Sequence, residues 1–267
     1  MFDRMVVVRG GGDLGSGVAL RLWRIGFSVV VLESPNPVAV RRSVAFAEAV
    51  YDGRASVEEA QSCLVSSTDE VLAILGRRQV PVLVDPQATA LGALAPCALV
   101  DAIMAKRNTG TSIEMAPVVI GLGPGFDAGS DVHAVVETNR GPNLGRVIWL
   151  GSAEPDTGDP APVSGHGVSR VLRAPTAGRL DVVRSIGDIV EEGDVLATVN
   201  GTPLRAAFRG LIRGMAREGL VVENGMKIGD LDPRIDPNLC RVVSDKALAV
   251  AGGVLEAIIM LMPKALP

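Results

Sequence analysis

Histidine is nearly missing from this chain: His133 and His166 are the only two in 267 residues. With so few, and with no HxxxH, HExxH or CxxC spacing, metal-assisted hydrolysis lacks its usual ligands. No G-x-S-x-G turn is present either, which removes the common serine-hydrolase signature. Tyrosine is represented by Tyr51 alone. Three cysteines, Cys63, Cys97 and Cys240, form an odd and widely spaced set that suits neither a disulfide framework nor a redox pair. A reducing cytoplasm is therefore expected. Aromatic residues make up 3% of the chain, so the core has to be filled by Val, Leu, Ile and Ala. Such residues favour parallel strands buried on both faces. Positive charge is not in excess: 26 basic against 30 acidic residues give a net charge of −4. A chain without a positive field is a poor match for nucleic acid. The longest apolar stretch, Ala247 to Met262, is short of a membrane span and is interrupted by Gly252-Gly253 and Glu256, so it predicts a buried terminal helix. The start, Met1-Phe2-Asp3-Arg4, leads directly into Val6-Val7-Val8 without the regions of a signal peptide. Neither export nor a membrane partner is expected.

What is present is a regular alternation of short Val/Ile/Leu runs with helical stretches from Met5 to about Leu150, the pattern of βαβ units. Strands are predicted at Met5–Arg9, Ser28–Glu33, Ser62–Val65, Val80–Asp85, Ala98–Asp101, Pro117–Gly121, Val132–Thr138 and Arg146–Leu150. The fold class is thus α/β, with a Rossmann-like parallel-sheet domain over residues 1–152. Residues 153–168 crowd Pro155, Gly158, Pro160, Pro162, Gly165 and Gly167 together and read as a linker. A small all-β domain over 169–234 follows. The last segment, 235–267, is helical and expected to pack back on the α/β domain.

The all-β segment is an internal repeat, matching itself without gaps at an offset of 32 residues. Leu172-Arg173-Ala174 falls on Leu204-Arg205-Ala206, Gly178 on Gly210, Gly187 on Gly219, Val190-Glu191 on Val222-Glu223, and Gly193 on Gly225. Each copy reads as strand, glycine turn, strand, V-E-x-G turn, strand. Neither can bury its apolar face alone, so the two must pack together. The run Gly187-Asp188-Ile189-Val190-Glu191-Glu192-Gly193-Asp194-Val195-Leu196 resembles the turn of the biotinyl/lipoyl barrel-sandwich domain. In a carrier domain the modified lysine sits on the hairpin between the halves. Here that hairpin is Asn200-Gly201-Thr202-Pro203, so no biotin or lipoate is expected.

Chemistry is concentrated in two glycine-rich loops. Gly10-Gly11-Gly12-Asp13-Leu14-Gly15 satisfies G-x-G-x-x-G between the first strand and an amphipathic helix, with Glu33 closing the second strand. Glycines there let a backbone approach a phosphate at a helix amino terminus, and the acid can accept from ribose hydroxyls. The alternative is a connection that merely tightens the turn. Gly121, Gly123 and Gly125 form a second loop that could leave amides free for an anion, interrupted by Pro124. Between the loops, Asp101 ends a strand and Lys106-Arg107-Asn108 supplies a basic cluster. Its plainer reading is a solvated helix end. Cys240, ahead of a helix starting near Ser244-Asp245-Lys246, is read as a quiet half-buried thiol.

Together, Val8-Arg9-Gly10-Gly11-Gly12-Asp13-Leu14, Ala47-Glu48-Ala49-Val50-Tyr51, Met104-Ala105-Lys106-Arg107-Asn108, Val119-Ile120-Gly121-Leu122-Gly123-Pro124-Gly125-Phe126, Val135-Val136-Glu137-Thr138 and Ile228-Gly229-Asp230-Leu231-Asp232-Pro233-Arg234 resemble the YqeB-type accessory proteins of selenium-dependent molybdenum hydroxylases. The likeness spans nearly the whole chain and departs at His133, where an acid is expected. It implies a maturation factor, akin to XdhC/CoxF factors, for enzymes of the xanthine dehydrogenase type. The implied cofactor is the molybdenum cofactor, as molybdopterin or its dinucleotide form, or another nucleotide. The implied partner is the molybdenum hydroxylase client, and self-association is left open. Cofactor handling is expected rather than turnover. A nicotinamide-dependent oxidoreductase and a noncatalytic partner-binding scaffold remain as alternatives.

Overall fold

The computed structural model describes residues 4–156, 158 and 162–262. The chain divides into two compact units, one of Met1–Pro37, Ala45–Asp156 and Val243–Pro267, the other of Val38–Val44 and Thr157–Val242.

The first unit is α/β. Its strands are β1 (Met5–Arg9), β2 (Ser28–Glu33), β3 (Arg54–Val57), β4 (Ala60–Val65), β5 (Val80–Val84), β6 (Ala98–Asp101), β7 (Val119–Leu122), β8 (Asp127–Ala128), β9 (Ala134–Val136), β10 (Val147–Ile148) and β11 (Gly151–Ser152). Nine of these make one sheet in the order β10-β9-β7-β6-β1-β2-β5-β4-β3, while β11 pairs with β8. The sheet is parallel from β4 across to β9, with β3 and β10 antiparallel at its edges. Strand order reverses between β1 and β6: strands two to five lie on one side of β1, and β6, β7, β9 and β10 on the other. The valine run of β1 is explained by burial on both faces. Val7 joins Val30, Leu99 and Val119 in the core on one face, and Val6 and Val8 are fully buried on the other.

The helices are α1 (Asp13–Arg24), α2 (Ala49–Asp52), α3 (Thr68–Gly76), α4 (Leu91–Leu94) and α5 (Asp245–Leu261). Ser244 caps α5 by accepting from the Ala247 N–H at 3.0 Å. α1 lies against α5. The approach is close, since a Cβ on Gly17 would stand 2.7 Å from the Ala247 methyl. The terminal helix thus packs on the α/β unit through one face, as expected of a buried helix there, while Ile259 and Met260 remain 61% and 64% exposed. Among the described residues, no helix is long and apolar enough to cross a membrane.

The second unit is antiparallel β. It holds β12 (Val171–Arg173), β13 (Gly178–Val182), β14 (Ile189–Val190), β15 (Val195–Val199), β16 (Thr202–Arg205), β17 (Gly210–Met215), β18 (Val221–Val222) and β19 (Lys227–Asp232). They form two four-stranded sheets, β12-β19-β17-β14 and β16-β15-β13-β18. Exchanging every strand for its repeat partner turns the second order into the first, and each sheet draws two strands from each copy. The turns agree as well. Gly187 and Gly219 have φ of 99° and 83°, and Gly193 and Gly225 have 86° and 78°. The Gly187 N–H donates to Ile212 O and the Gly219 N–H to Leu180 O, both at 2.8 Å and again one repeat apart.

Boundaries differ from the sequence reading: Val38–Val44 leaves the first unit and belongs to the second, the expected linker divides after Asp156, and residues 235–242 belong to the second unit rather than to the terminal segment. Within Val38–Val44, Arg42 Nε donates to Met215 O at 2.9 Å, and a Cβ on Gly214 would stand 2.8 Å from a Val40 methyl. Part of the predicted linker, including Pro160, lies outside the described residues; Val163 and His166 form a short bridge within it.

Candidate functional site

At the carboxy edge of β1 the chain turns sharply at Gly10, whose φ is 93°. Only glycine holds that conformation cheaply, and a Cβ there would also press on the Ala102–Ile103 backbone at 2.9–3.0 Å. The Gly10 N–H continues the ladder to Leu32 O at 2.8 Å. Gly11 lies under the 45–48 segment: its carbonyl accepts from the Ala47 N–H at 2.9 Å, and a Cβ would meet Ala47 N and Val31 at 2.9 Å. A Cβ on Gly15 would collide with Gly10 O. Ser16 ties the segments together, donating to Gly11 O and accepting from the Phe46 N–H, both at 2.8 Å.

Gly12 differs from these three. It is the N-cap of α1, with φ −71° and ψ −167°, no side-chain cap, and nothing within 4 Å of the place a Cβ would occupy. Gly12, Asp13 and Leu14 are partly exposed, whereas Gly10, Gly11 and Gly15 are buried. The first N–H groups of a helix have no partner within it and carry its positive end. The opening over Gly12 therefore leads to the positive end of the helix backbone. Asp13, in the first turn, suits the dipole but opposes a second negative charge beside it.

Glu33 is engaged by the loop itself. Its Oε2 accepts from the Gly11 N–H and its Oε1 from the Ser34 N–H, each at 2.7 Å. The carboxylate fastens the glycine loop to the end of β2. Asp101 is likewise engaged. Arg9, 3% exposed, places Nη1 3.3 Å from Asp101 Oδ2 and Nη2 3.0 Å from Pro86 O. Nη1 also donates to Thr111 Oγ1, which donates in turn to Asp101 Oδ2 at 2.5 Å. The Ile103 N–H completes the set at Oδ1, 3.1 Å away. This buried pair joins β1 to β6 and anchors the loop that follows. The sequence reading passed over Arg9, Ser16 and Thr111; the one available signal was an arginine closing an otherwise apolar strand.

The 102–111 segment is an irregular loop, which corrects the helix-end reading of Lys106 and Arg107. Met104 and Lys106 have φ of 60° and 59°, a conformation that costs non-glycine residues energy. Asn108 shapes its far end by accepting from the Gly110 and Thr111 N–H groups at 2.9 and 2.8 Å. Lys106 is ion-paired with Asp156, and Arg107 is exposed. The second glycine loop packs on this segment. A Cβ on Gly125 (φ 110°) would stand 2.5 Å from Arg107 N, one on Gly121 2.5 Å from the Phe126 ring, and one on Gly123 (φ 71°) would collide with the Thr138 hydroxyl. The Gly123 N–H is spent on Val136 O at 2.9 Å. These three glycines are accounted for by packing, in contrast to Gly12. His133, just before β9, accepts the Val119 N–H at Nδ1, 3.0 Å away. An acid there could accept the same bond.

The predicted site residues thus gather around the carboxy ends of β1, β2, β6 and β7, and the opening at Gly12 lies beside the point where strand order reverses. In open α/β sheets ligands settle in that crevice.

No protein-family model matches the chain. It is 49% identical over 259 residues to the uncharacterized protein YqeB of Escherichia coli (strain K12), an alignment covering 97% of this chain and 48% of that protein. The chain thus spans about half the length of the curated relative it matches. Among solved structures it is similar to an aspartoacylase family protein from Mesorhizobium loti, at 14% identity and TM-score 0.27 over 85% of this chain and 84% of that one. It is also similar to the apo ectoine utilization protein EutE from Ruegeria pomeroyi, at 14% identity and TM-score 0.26 over 85% of both chains. Likenesses of that size carry no argument about fold or activity.

Proposed function

We propose that this chain is a cofactor-handling maturation factor for molybdenum hydroxylases, and that the amino end of α1 receives a phosphate of its pterin or nucleotide ligand. The observation that carries the ligand site is the uncapped, open start of α1 at Gly12, beside the reversal of strand order. The fit is to a phosphate: the Gly12–Gly15 turn offers backbone N–H groups and room for an oxyanion, without a bulky side chain in the way. In this reading the first unit is a Rossmann-like domain. The second is a barrel-sandwich domain of the lipoyl/biotinyl kind without an attachment lysine, a reading supported by its two interlocked, equivalent sheets. A bound molybdenum cofactor would supply redox chemistry to the client enzyme; this chain's residues would bind and orient it. The client assignment rests on the resemblance of the motifs, and the relative's name adds no activity to it.

Glu33 bears on the choice among nucleotides. Each of its oxygens already accepts one backbone N–H, so a ribose diol would have to share a carboxylate that the loop holds in place, which weakens the case for a nicotinamide dinucleotide. The test is titration of wild type and Gly12→Val with molybdopterin, its nucleotides and NAD(P), alongside mass spectrometry of ligand retained by protein purified from a molybdenum-replete host. Pterin binding that is lost in the variant at unchanged melting temperature is expected. NAD(P) binding in its place would move the protein to the oxidoreductases. Failure to bind any of them better than millimolar, about 4 kcal/mol, would make the loop architectural and favour a scaffold.

A further inference from the structure

The second copy of the repeat carries a buried charge cluster that the first copy lacks. Arg170 and Arg213, 7% and 8% exposed, meet Asp230 and the fully buried Asp232. At the offset of 32 residues Arg213, Asp230 and Asp232 fall on Asp181, Thr198 and Asn200, and Arg170 falls on Thr202. None of those four is buried. The strands around them are nevertheless paired alike: β16 joins β15 as β12 joins β19, and β13 joins β15 as β17 joins β19. The last two pairings differ at the cluster itself. β13 runs against β15 without a break, whereas β17 holds Arg213 as an extra residue between Ile212 and Gly214. A bulge of that kind re-aims a side chain. Since the first copy closes an equivalent sheet without these charges, the fold does not require them.

Within the cluster one guanidinium is poorly matched. Asp232 is gripped by Arg234 at 2.9 and 2.7 Å. Arg170 is held less well: its Nη2 stands 3.4 Å from Asp230 Oδ1 and 3.7 Å from Asp232 Oδ2, and its Nε is buried without a hydrogen-bond partner. A guanidinium is best met by two neighbouring oxygens that accept from Nε and an Nη together. Buried donors are nearly always paired, and one left over marks the place of a water or an ion. Charge decides between those two. The nearer carboxylate oxygens are at long range and Asp232 Oδ2 is already taken by Arg234, so an oxyanion is drawn to Arg170 more strongly than neutral water is. The cluster also lies close under the surface. The Arg234 side chain, 45% exposed, runs from Asp232 to solvent, and Val168 and Ser169 just before Arg170 are exposed. We propose that Arg170 anchors an anion site in the second unit, which takes the phosphate or carboxylate group of a small molecule on its Nε edge. This inference is independent of the ligand assigned to the glycine loop.

The test is calorimetric titration of the full chain with inorganic phosphate and, separately, with acetate, at an ionic strength held constant with chloride. Binding of at least one is expected, weakened tenfold or more by Arg170→Lys, which keeps the charge but has no Nε edge. Gly12→Val should leave it unchanged, which separates this site from the opening on α1. Failure of both anions to bind at about 10 mM overturns the proposal. So does binding that Arg170→Lys leaves intact, or that Gly12→Val abolishes. Amide exchange on the wild type covers the case in which Arg170→Lys does not fold. Whichever of phosphate or acetate binds should slow exchange at 168–171 and 229–232 but not at the first-copy counterparts 197–203. Slowing confined to 10–16, or no slowing, overturns the proposal equally.

Discussion

The α-hydrogen that a Cβ would replace on Gly12 points into open space, while those of Gly10, Gly11 and Gly15 point into backbone. That contrast separates one open position from three that packing explains within one motif. Gly12 has an extended conformation that any residue adopts, so Gly12→Ala should cost under about 1 kcal/mol in urea unfolding. Gly15→Ala should cost roughly 1–3 kcal/mol or more, because Gly10 O must move. Equal losses in the two variants would remove the distinction. Cys240 belongs to the same scale. Burial pushes its thiol above the usual range, with the charges of Arg41 and Arg213 pulling partly the other way, and Sγ lies 3.6 Å from Ile212 O. Alkylation at neutral pH followed by peptide mass analysis should find Cys240 modified only after denaturation; rapid modification of the folded protein would contradict this.

Among elements, β19 carries a fully buried carboxylate. Asp232 is fully buried and held by Arg234 at 2.9 and 2.7 Å. Burial, the largest single influence, disfavours its ionised form, but the hydrogen bonds and charge of Arg234, with Arg170 behind it, outweigh that and hold the carboxyl below the usual range. A depressed folded value means that the contribution to stability is complete above the unfolded pKa of about 4 and is lost as pH falls through the lower folded value. Asp232→Asn should therefore flatten the acid limb of the stability curve and cost about 3 kcal/mol at neutral pH, by leaving the buried Arg170 and Arg213 to share Asp230. Chemical unfolding from pH 2 to 7 checks both. The repeat makes a second prediction at this scale. Gly187 and Gly219 occupy equivalent turns, so Gly187→Ala and Gly219→Ala should each destabilise by roughly 1 kcal/mol or somewhat more, and costs differing severalfold would show that the copies are not energetically equivalent.

For the molecule as a whole, the hairpin between the copies bears on cofactor attachment. Asn200 and Gly201, with φ of 51° and 79°, close β15 onto β16 in a tight exposed turn. It has no amine for a ligase to modify. Intact mass should equal that of the sequence, and a lipoyl or biotinyl increment mapped to 173–234 would restore a carrier role.

Local chemistry was enough to read much of this from sequence. β1, β2 and β6 fall where their apolar runs predict, because a strand buried on both faces writes an unbroken signal. The duplication was legible for a similar reason, since its turns need positive φ and so keep glycine at a fixed offset. The short edge strand β3 was not, because Arg54–Val57 has little to bury and its pairing with β4 is a tertiary choice. Nor could spacing tell which glycine of G-x-G-x-x-G faces open space. That depends on Ala47 and Ala102, brought over the loop by segments distant in sequence. Glu33 and Asp101 were found as acids at strand ends, but their present partners, the Gly11 N–H and Arg9, are fixed only when β1, β2 and β6 lie side by side. The sequence by itself determined which residues had to be buried and where the backbone had to turn, because those follow from solvation and local sterics. The tertiary structure alone decided which polar groups were already satisfied and which backbone remained open to a ligand, because hydrogen-bond partners and free space belong to neighbours that the chain meets only on folding.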